Sequence, residues 1–240
     1  MCVVRGSRLA ELPLAQERQA AGGVSPAPRA TEVAYDKLCT AIVDLELAPG
    51  EMLNERELGD RLGVSRLTLL QALHRVAESG LVSVLPRRGI LVAPVDILSA
   101  QQIFEARSVI EVRIAELAVE RATERDIAHL RSLAEQLETL RGRADSSVSF
   151  PHLDRELHLS IAHFAGNRFL ERALHQVWLN NQRLWNFFFR DQGVTRDYLF
   201  AHGDIVAAIE KHDAIAARSA VLEHIMSSQE LLSSRLWSRL

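Results

Sequence analysis

The sequence predicts a mainly α-helical chain in two parts. A small N-terminal unit combines three helices with a β-hairpin, and a larger C-terminal part is all helical, with about six helices. Three observations predict this. Apolar residues recur at helical spacing between recognisable caps through most of the chain. The β-rich stretch is one pair of short runs, Leu81–Leu85 and Ile90–Ala93, joined by Pro86-Arg87-Arg88-Gly89. Pro94 then closes that stretch, and helical patterning resumes. The length, 240 residues, suits two such domains.

The elements follow in order. Residues 1–30, rich in Ala, Arg, Gly and Pro, read as a disordered tail. Thr31 is a candidate cap for a helix running to about Leu47, with Leu38, Ala41, Ile42 and Leu45 as its buried stripe and Pro49-Gly50 as its stop. Asn54 is expected to cap a short helix, Glu55–Leu62, closed by Gly63. Ser65 then caps a third helix that runs to Ser79 and buries Leu69, Ala72, Leu73 and Val76. The first domain thus spans 31–95 and the second 96–240. Within the second, helices are expected at about 98–122, 123–141, 149–165, 168–190, 195–211 and 213–238, with Thr123 and Asp213 as caps.

Composition narrows the function classes. Hydrophobic residues make up 48% and charged residues 25%, an ordinary soluble balance. The two cysteines, one of them in the tail, argue against a disulfide framework and for a cytoplasmic protein. No apolar run is long enough for a membrane span, and charged residues such as Arg5, Arg8 and Glu11 break any signal-peptide core. Net charge is −3, yet residues 65–90 hold Arg66, Arg75, Arg87 and Arg88 against Glu78 alone. A basic segment inside an acidic chain points to a local polyanion contact.

Two short helices joined at Gly63 and followed by a basic hairpin make a winged helix-turn-helix pattern. The major groove of double-stranded DNA admits one helix, so the second helix must offer its N-terminal half to base edges while the first braces it. Ser65 leaves backbone N–H groups near phosphate, and Arg87 and Arg88 sit at a tip able to reach the backbone or minor groove. The run Leu47-Ala48-Pro49-Gly50-Glu51-Met52-Leu53-Asn54-Glu55-Arg56-Glu57-Leu58, then Leu62-Gly63-Val64-Ser65-Arg66, Ala72-Leu73, Gly80-Leu81-Val82 and Arg88-Gly89 resembles the GntR family of bacterial regulators. That resemblance implies operator contacts by Arg56, Arg66, Thr68, Arg88 and Gly89. It also exposes a departure, because the family's usual second arginine is Leu70 here. Leu67 and Leu70 offer thymine-methyl contacts instead, and Gln71 offers an adenine contact.

Histidine is uneven, with His74 the only one of nine before residue 129. Asp154 and His158, at i and i+4, share a helix face, and His202 and His224 follow on later helices. One carboxylate and three imidazoles suit a first-row transition metal. Spacing alone does not choose among the histidines, since His129, His152, His163, His175 and His212 compete. Here too a resemblance adds information. Arg107-x-x-x-Glu111, Asp154-x-x-x-His158, Gly166-Asn167, the run from His202 to Ile209, and His224 resemble the FCD ligand-binding domain, the usual partner of one large GntR subfamily. The resemblance implies a bundle of six or seven helices and a divalent ion held by Asp154, His158, His202 and His224; availability and ligand type favour zinc, with nickel or manganese close behind. An ion with open positions attracts an anion, so a small organic-acid effector is expected; Arg107 is its candidate contact or else a surface ion pair with Glu111, and Asn167 is a candidate contact or else the cap of a helix end.

The reading is therefore a homodimeric, effector-controlled regulator, with repression relieved by the effector as the family's usual mode. Two alternatives stand beside it, a metalloenzyme built on the Asp/His set and a regulator whose metal only staples helices. The enzyme reading leaves the winged motif unexplained, and no general base is evident beside the ligands.

Overall fold

The computed structural model describes residues 30–140, 146–189 and 202–237. The described residues form two compact units, one ending at Pro94 and one starting at Val95. The tail assignment for residues 1–29 and the expected helix start at 195 fall outside the described residues.

In the first unit the elements are α1 (Ala30–Val43), β1 (Met52–Leu53), α2 (Glu55–Leu62), α3 (Arg66–Glu78), β2 (Val82–Leu85) and β3 (Gly89–Val92). Asn54 accepts from the backbone N–H groups of Arg56 and Glu57, and Ser65 from that of Thr68, so both expected caps form. The inner faces of α1, α2 and α3 close over Leu38, Ile42, Leu58, Leu69, Leu73 and Val76, with Leu81, Ile90 and Val92 sealing the core from the sheet. Cys39 is buried there as a free thiol.

Three details differ from the sequence reading. Helix α1 begins at Ala30, so Thr31 lies inside its first turn rather than capping it. It ends at Val43, not Leu47, because Leu45 adopts φ 59°. The N–H of Glu46 donates to Ala41 and that of Leu45 to Ile42, the paired bonds of a Schellman ending. The hairpin gains a third strand, as β1 pairs antiparallel with β3 through Met52–Leu91 and Leu53–Ile90, giving the order β1-β3-β2.

The second unit contains α4 (Ile97–Arg121), α5 (Glu124–Thr139), α6 (Ser146–Phe164), α7 (Arg168–Phe189), α8 (His202–Glu210) and α9 (Ala214–Trp237). Helix α4 is its spine and packs against α6, α7, α8 and α9, while α5 covers α6 and α8. Thr123 and Asp126 close a reciprocal capping box on α5, and Asp213 caps α9 through the N–H of Ala216. Helix α6 starts at Ser146 and carries Pro151 inside it, earlier than the sequence pattern suggested. Among the described residues no helix is long and apolar enough to cross a membrane.

Two glycines in the DNA-binding candidate unit are needed for different reasons. Gly63 ends α2 at φ 66° with no atom within 4 Å of an added Cβ. Gly89 has φ 104°, and a Cβ there would lie 2.9 Å from the backbone oxygen of Leu53. Gly63→Ala should therefore cost only the left-handed penalty of about 1–2 kcal/mol. Gly89→Ala should cost more, because the clash opens the pairing of β1 and β3. Urea unfolding of the two variants checks the order, and equal losses would contradict the steric argument.

Candidate metal centre and nucleic-acid interface

The bundle core draws four ligand-type side chains together. Asp154 and His158 lie one turn apart on α6, His202 opens α8, and His224 sits midway along α9. One ligand atom from each falls within 4.8 Å of the others. All three histidines are buried and Asp154 is partly so. The Nε2 of His202 is 2.7 Å from Asp154 Oδ1, and His158 Nε2 is 3.7 Å from the same oxygen. The rings of His158 and His202 both stand against that of His224, with centroids 4.9 and 4.5 Å away. Trp178 forms a wall, its ring 4.5 Å from that of His158.

The electrostatics keep Asp154 and His224 in the protonation states that a cation needs. Burial pushes His224 well below the ordinary imidazole value, reinforced by His202, His158 and Arg107, so it stays neutral with a lone pair to offer. Burial would raise Asp154, but the hydrogen bond and charge of His202, with His158 and Arg107 behind it, outweigh burial and hold it lowered and ionised. His158 Nε2 is buried and makes no hydrogen bond. Such an atom carries a desolvation cost unless something binds it. The donor set, its convergence and this lone nitrogen all fit a divalent transition metal.

Beneath the cluster lies a buried polar layer of Arg107, Glu111 and Asn181. Arg107, 2% exposed, places Nε 2.6 Å from Glu111 Oε1 and donates from Nη1 to Asn181 Oδ1 at 3.2 Å. Its guanidinium also lies 4.9 Å from the Trp178 ring centroid. The other oxygen of Glu111 accepts from His158 Nδ1 at 2.5 Å. Burial would raise Glu111, but Arg107 and His158 bring it down to about 2. The Arg107–Glu111 pair is therefore interior, whereas i, i+4 spacing reads equally well as a surface pair. Asn181 carried no sequence signal at all.

Asn167 is not part of this layer. Its Oδ1 accepts from the N–H groups of Phe169 and Leu170 and so caps α7. It follows the end of α6, whereas His158 sits six residues before that end, about 9 Å of helix away. Four of the five competing histidines are engaged elsewhere, and His152 is exposed. His163 faces Glu171, His175 faces Arg155, His129 faces Ser160, and His212 bonds the Val119 carbonyl. Two surface grooves flank α8. One, of about 380 Å³, reaches His202 past Arg131, Glu138 and Phe150. The other, of about 450 Å³, reaches His224 past Lys211 and Glu223.

In the first unit, α3 exposes Arg66, Leu67, Gln71 and His74 along one side, with Thr68 and Leu70 half-buried. Leu67 is 67% exposed. Ser65 and Thr68 share a hydroxyl hydrogen bond of 2.8 Å at the N-terminus of α3. Arg66 Nη2 lies 3.5 Å from Glu55, and Arg56 is exposed on α2. Arg87 and Arg88 project from the hairpin tip, where Arg87 has φ 60°. Two residues also make contacts within the unit. Arg75, counted in the basic stretch, packs over the ring of Tyr35 at 4.2 Å. The carboxamide oxygen of Gln71 accepts from the Thr31 hydroxyl at 3.1 Å.

Comparison with known proteins places this architecture. Residues 30–92 match the family described as bacterial regulatory proteins, gntR family, and residues 102–227 match the FCD domain. The Uxu operon transcriptional regulator of Escherichia coli K12 is 30% identical over 213 residues, 80% of this chain and 82% of that protein. The HTH-type transcriptional repressor RspR of the same strain is 25% identical, over 86% of this chain and 90% of that one. The solved structure of E. coli McbR/YncC covers 87% of this chain and 99% of its own with a TM-score of 0.75 at 22% identity, which supports the fold. The FCD match alone spans more than half the sequence, and so the chain belongs to the GntR family of transcriptional regulators, among those with a C-terminal FCD domain.

Proposed function

We propose that this regulator binds double-stranded operator DNA as a cytoplasmic homodimer and is controlled by a small organic acid held beside a divalent metal in its bundle. The observation that carries the reading is the convergence of Asp154, His158, His202 and His224 within 4.8 Å, inside the domain that accompanies the DNA-binding unit. One carboxylate and three neutral imidazoles leave a bound divalent ion with net positive charge, and open coordination positions would attract a carboxylate. Arg107 is the cationic side chain next to this layer, and its charge is felt at both Asp154 and His224. We assign it the far end of the effector or a second acid group, with Glu111 and Asn181 holding it in place. Asn167 receives no such role, because its side chain caps a helix.

On DNA, Ser65, Arg66, Leu67, Thr68, Leu70 and Gln71 would face the major groove. Arg56 would lie along the backbone, and Arg87, Arg88 and Gly89 would form the wing contact. Dimerisation doubles these contacts over two half-sites. RspR is named a repressor, and for this chain we favour repression of a metabolic operon, released when effector binding changes the relation of the two DNA-binding units. Such a coupling needs only about 1–3 kcal/mol.

Three measurements test this. Protein purified without chelator or histidine tag should carry close to one equivalent of zinc, nickel or manganese by elemental analysis. His202→Ala and His224→Ala should each lower that content sharply, and unchanged content in both would refute the site. Titration of metal-loaded and metal-stripped protein with organic and sugar acids should give binding only to the loaded form, with equal affinities overturning the effector half. Arg66→Ala should weaken operator binding and reduce the slope of log affinity against log salt by about 1, the loss of one phosphate contact. A slope and affinity equal to wild type across several salt concentrations would remove Arg66 from the interface.

A further inference from the structure

We propose that Glu111 is a positioning residue of the metal centre. It holds His158 in the tautomer whose Nε2 carries the lone pair, and it locks that ligand to Arg107. The inference rests on the metal reading above and concerns a side chain outside the ligand set.

The argument begins with the donor and acceptor inventory. An ionised carboxylate only accepts, and a neutral imidazole carries one N–H. Glu111 Oε2 lies 2.5 Å from His158 Nδ1, so the proton of that hydrogen bond sits on Nδ1. In a neutral ring Nε2 is then left bare, and it is this nitrogen that is buried without a hydrogen bond, 3.7 Å from Asp154. In the opposite tautomer, Nδ1 would meet Glu111 lone pair to lone pair and Nε2 would present a proton where an ion needs electrons. A carboxylate behind a ligating histidine also orients the ring and raises its basicity.

The second oxygen of Glu111 explains why the carboxylate stays in place. Arg107 Nε donates to Oε1 at 2.6 Å, and Asn181 fixes the guanidinium from the other side. Glu111 is 3% exposed and Arg107 2%. Burying such a pair gains little stability over apolar residues of similar volume. A role in fixing His158 accounts for its presence where packing energy does not. Arg107, Glu111 and His158 come from two helices, α4 and α6, so this chain of contacts also sets the register of one helix against the other.

The test uses full-length protein stripped of metal and titrated with zinc against a chromophoric chelator, together with histidine ¹⁵N spectra of the stripped protein. Wild type should show His158 protonated at Nδ1 and bare at Nε2. Glu111→Ala should weaken zinc binding by roughly 10- to 100-fold, and the His158 signals should move to a mixture of tautomers. Glu111→Gln, nearly isosteric, keeps an oxygen for Nδ1 but loses the charge toward Arg107, so its zinc affinity should fall between the two. Should Glu111→Ala fail to fold, as judged by circular dichroism, Glu111→Gln decides alone. Wild-type zinc affinity and an unchanged tautomer in the folded variants would overturn the inference while leaving the metal site intact. Absence of zinc binding by wild type would overturn both.

Discussion

The C-terminal bundle is organised around a constraint on buried charge. Ionised groups removed from water must find partners, and here Arg107, Glu111 and Asp154 do so, in contacts that run from Arg107 through Glu111 to His158 and, one turn away on the same helix, from Asp154 to His202. Every link joins two different helices or two turns of one. Helix α4 supplies the start, α6 the middle and α8 the end, with α7 contributing Asn181 and Trp178 as support. The apolar shell of Phe104, Ile114, Leu157, Leu174, Ile205 and Ile225 closes around it. That shell could be packed in several ways at similar cost. The polar chain cannot, because a shift of either helix by one residue would strand a charge in the core.

This division of labour explains what the sequence disclosed. Caps are local, and Asn54, Ser65, Thr123 and Asp213 announced helix starts that the structure contains. The helix-turn-helix with its hairpin was legible for the same reason, since its stripes, its turn glycine and its basic tip all lie within sixty residues. The shortfalls were non-local or unsignalled. Strand β1 is two residues long and exists through its pairing with β3. Helix α1 ends at Leu45 in a left-handed conformation without the glycine or asparagine that usually marks one.

The candidate metal set was legible in kind and not in membership. Asp154 and His158 stood out by spacing, but nothing in the pattern separated His202 and His224 from five other histidines without the family resemblance. Folding separates them, since four competitors face Glu171, Arg155, Ser160 or a backbone carbonyl and His152 is exposed. Arg107 and Glu111 show the same limit. Their spacing is that of many exposed helical pairs, and only the cover of neighbouring helices makes them interior. Asn181 is the clearest case, a single amide on an apolar helix face whose use depends on a partner seventy-four residues away.

The hydrogen bond between Thr31 and Gln71 carries a different lesson, for anyone redesigning which DNA such a regulator reads. Gln71 faces outward from α3, but its carboxamide oxygen is already held by a hydroxyl forty residues earlier in the chain. A glutamine that reads adenine uses its oxygen and its amino group together, so the donor behind it conditions how its amide can turn. On the proposed interface, specificity in this unit is therefore not contained in one contiguous stretch. Transplanting α3 onto a related scaffold without the threonine would move the letters of the recognition helix and leave behind part of its grammar.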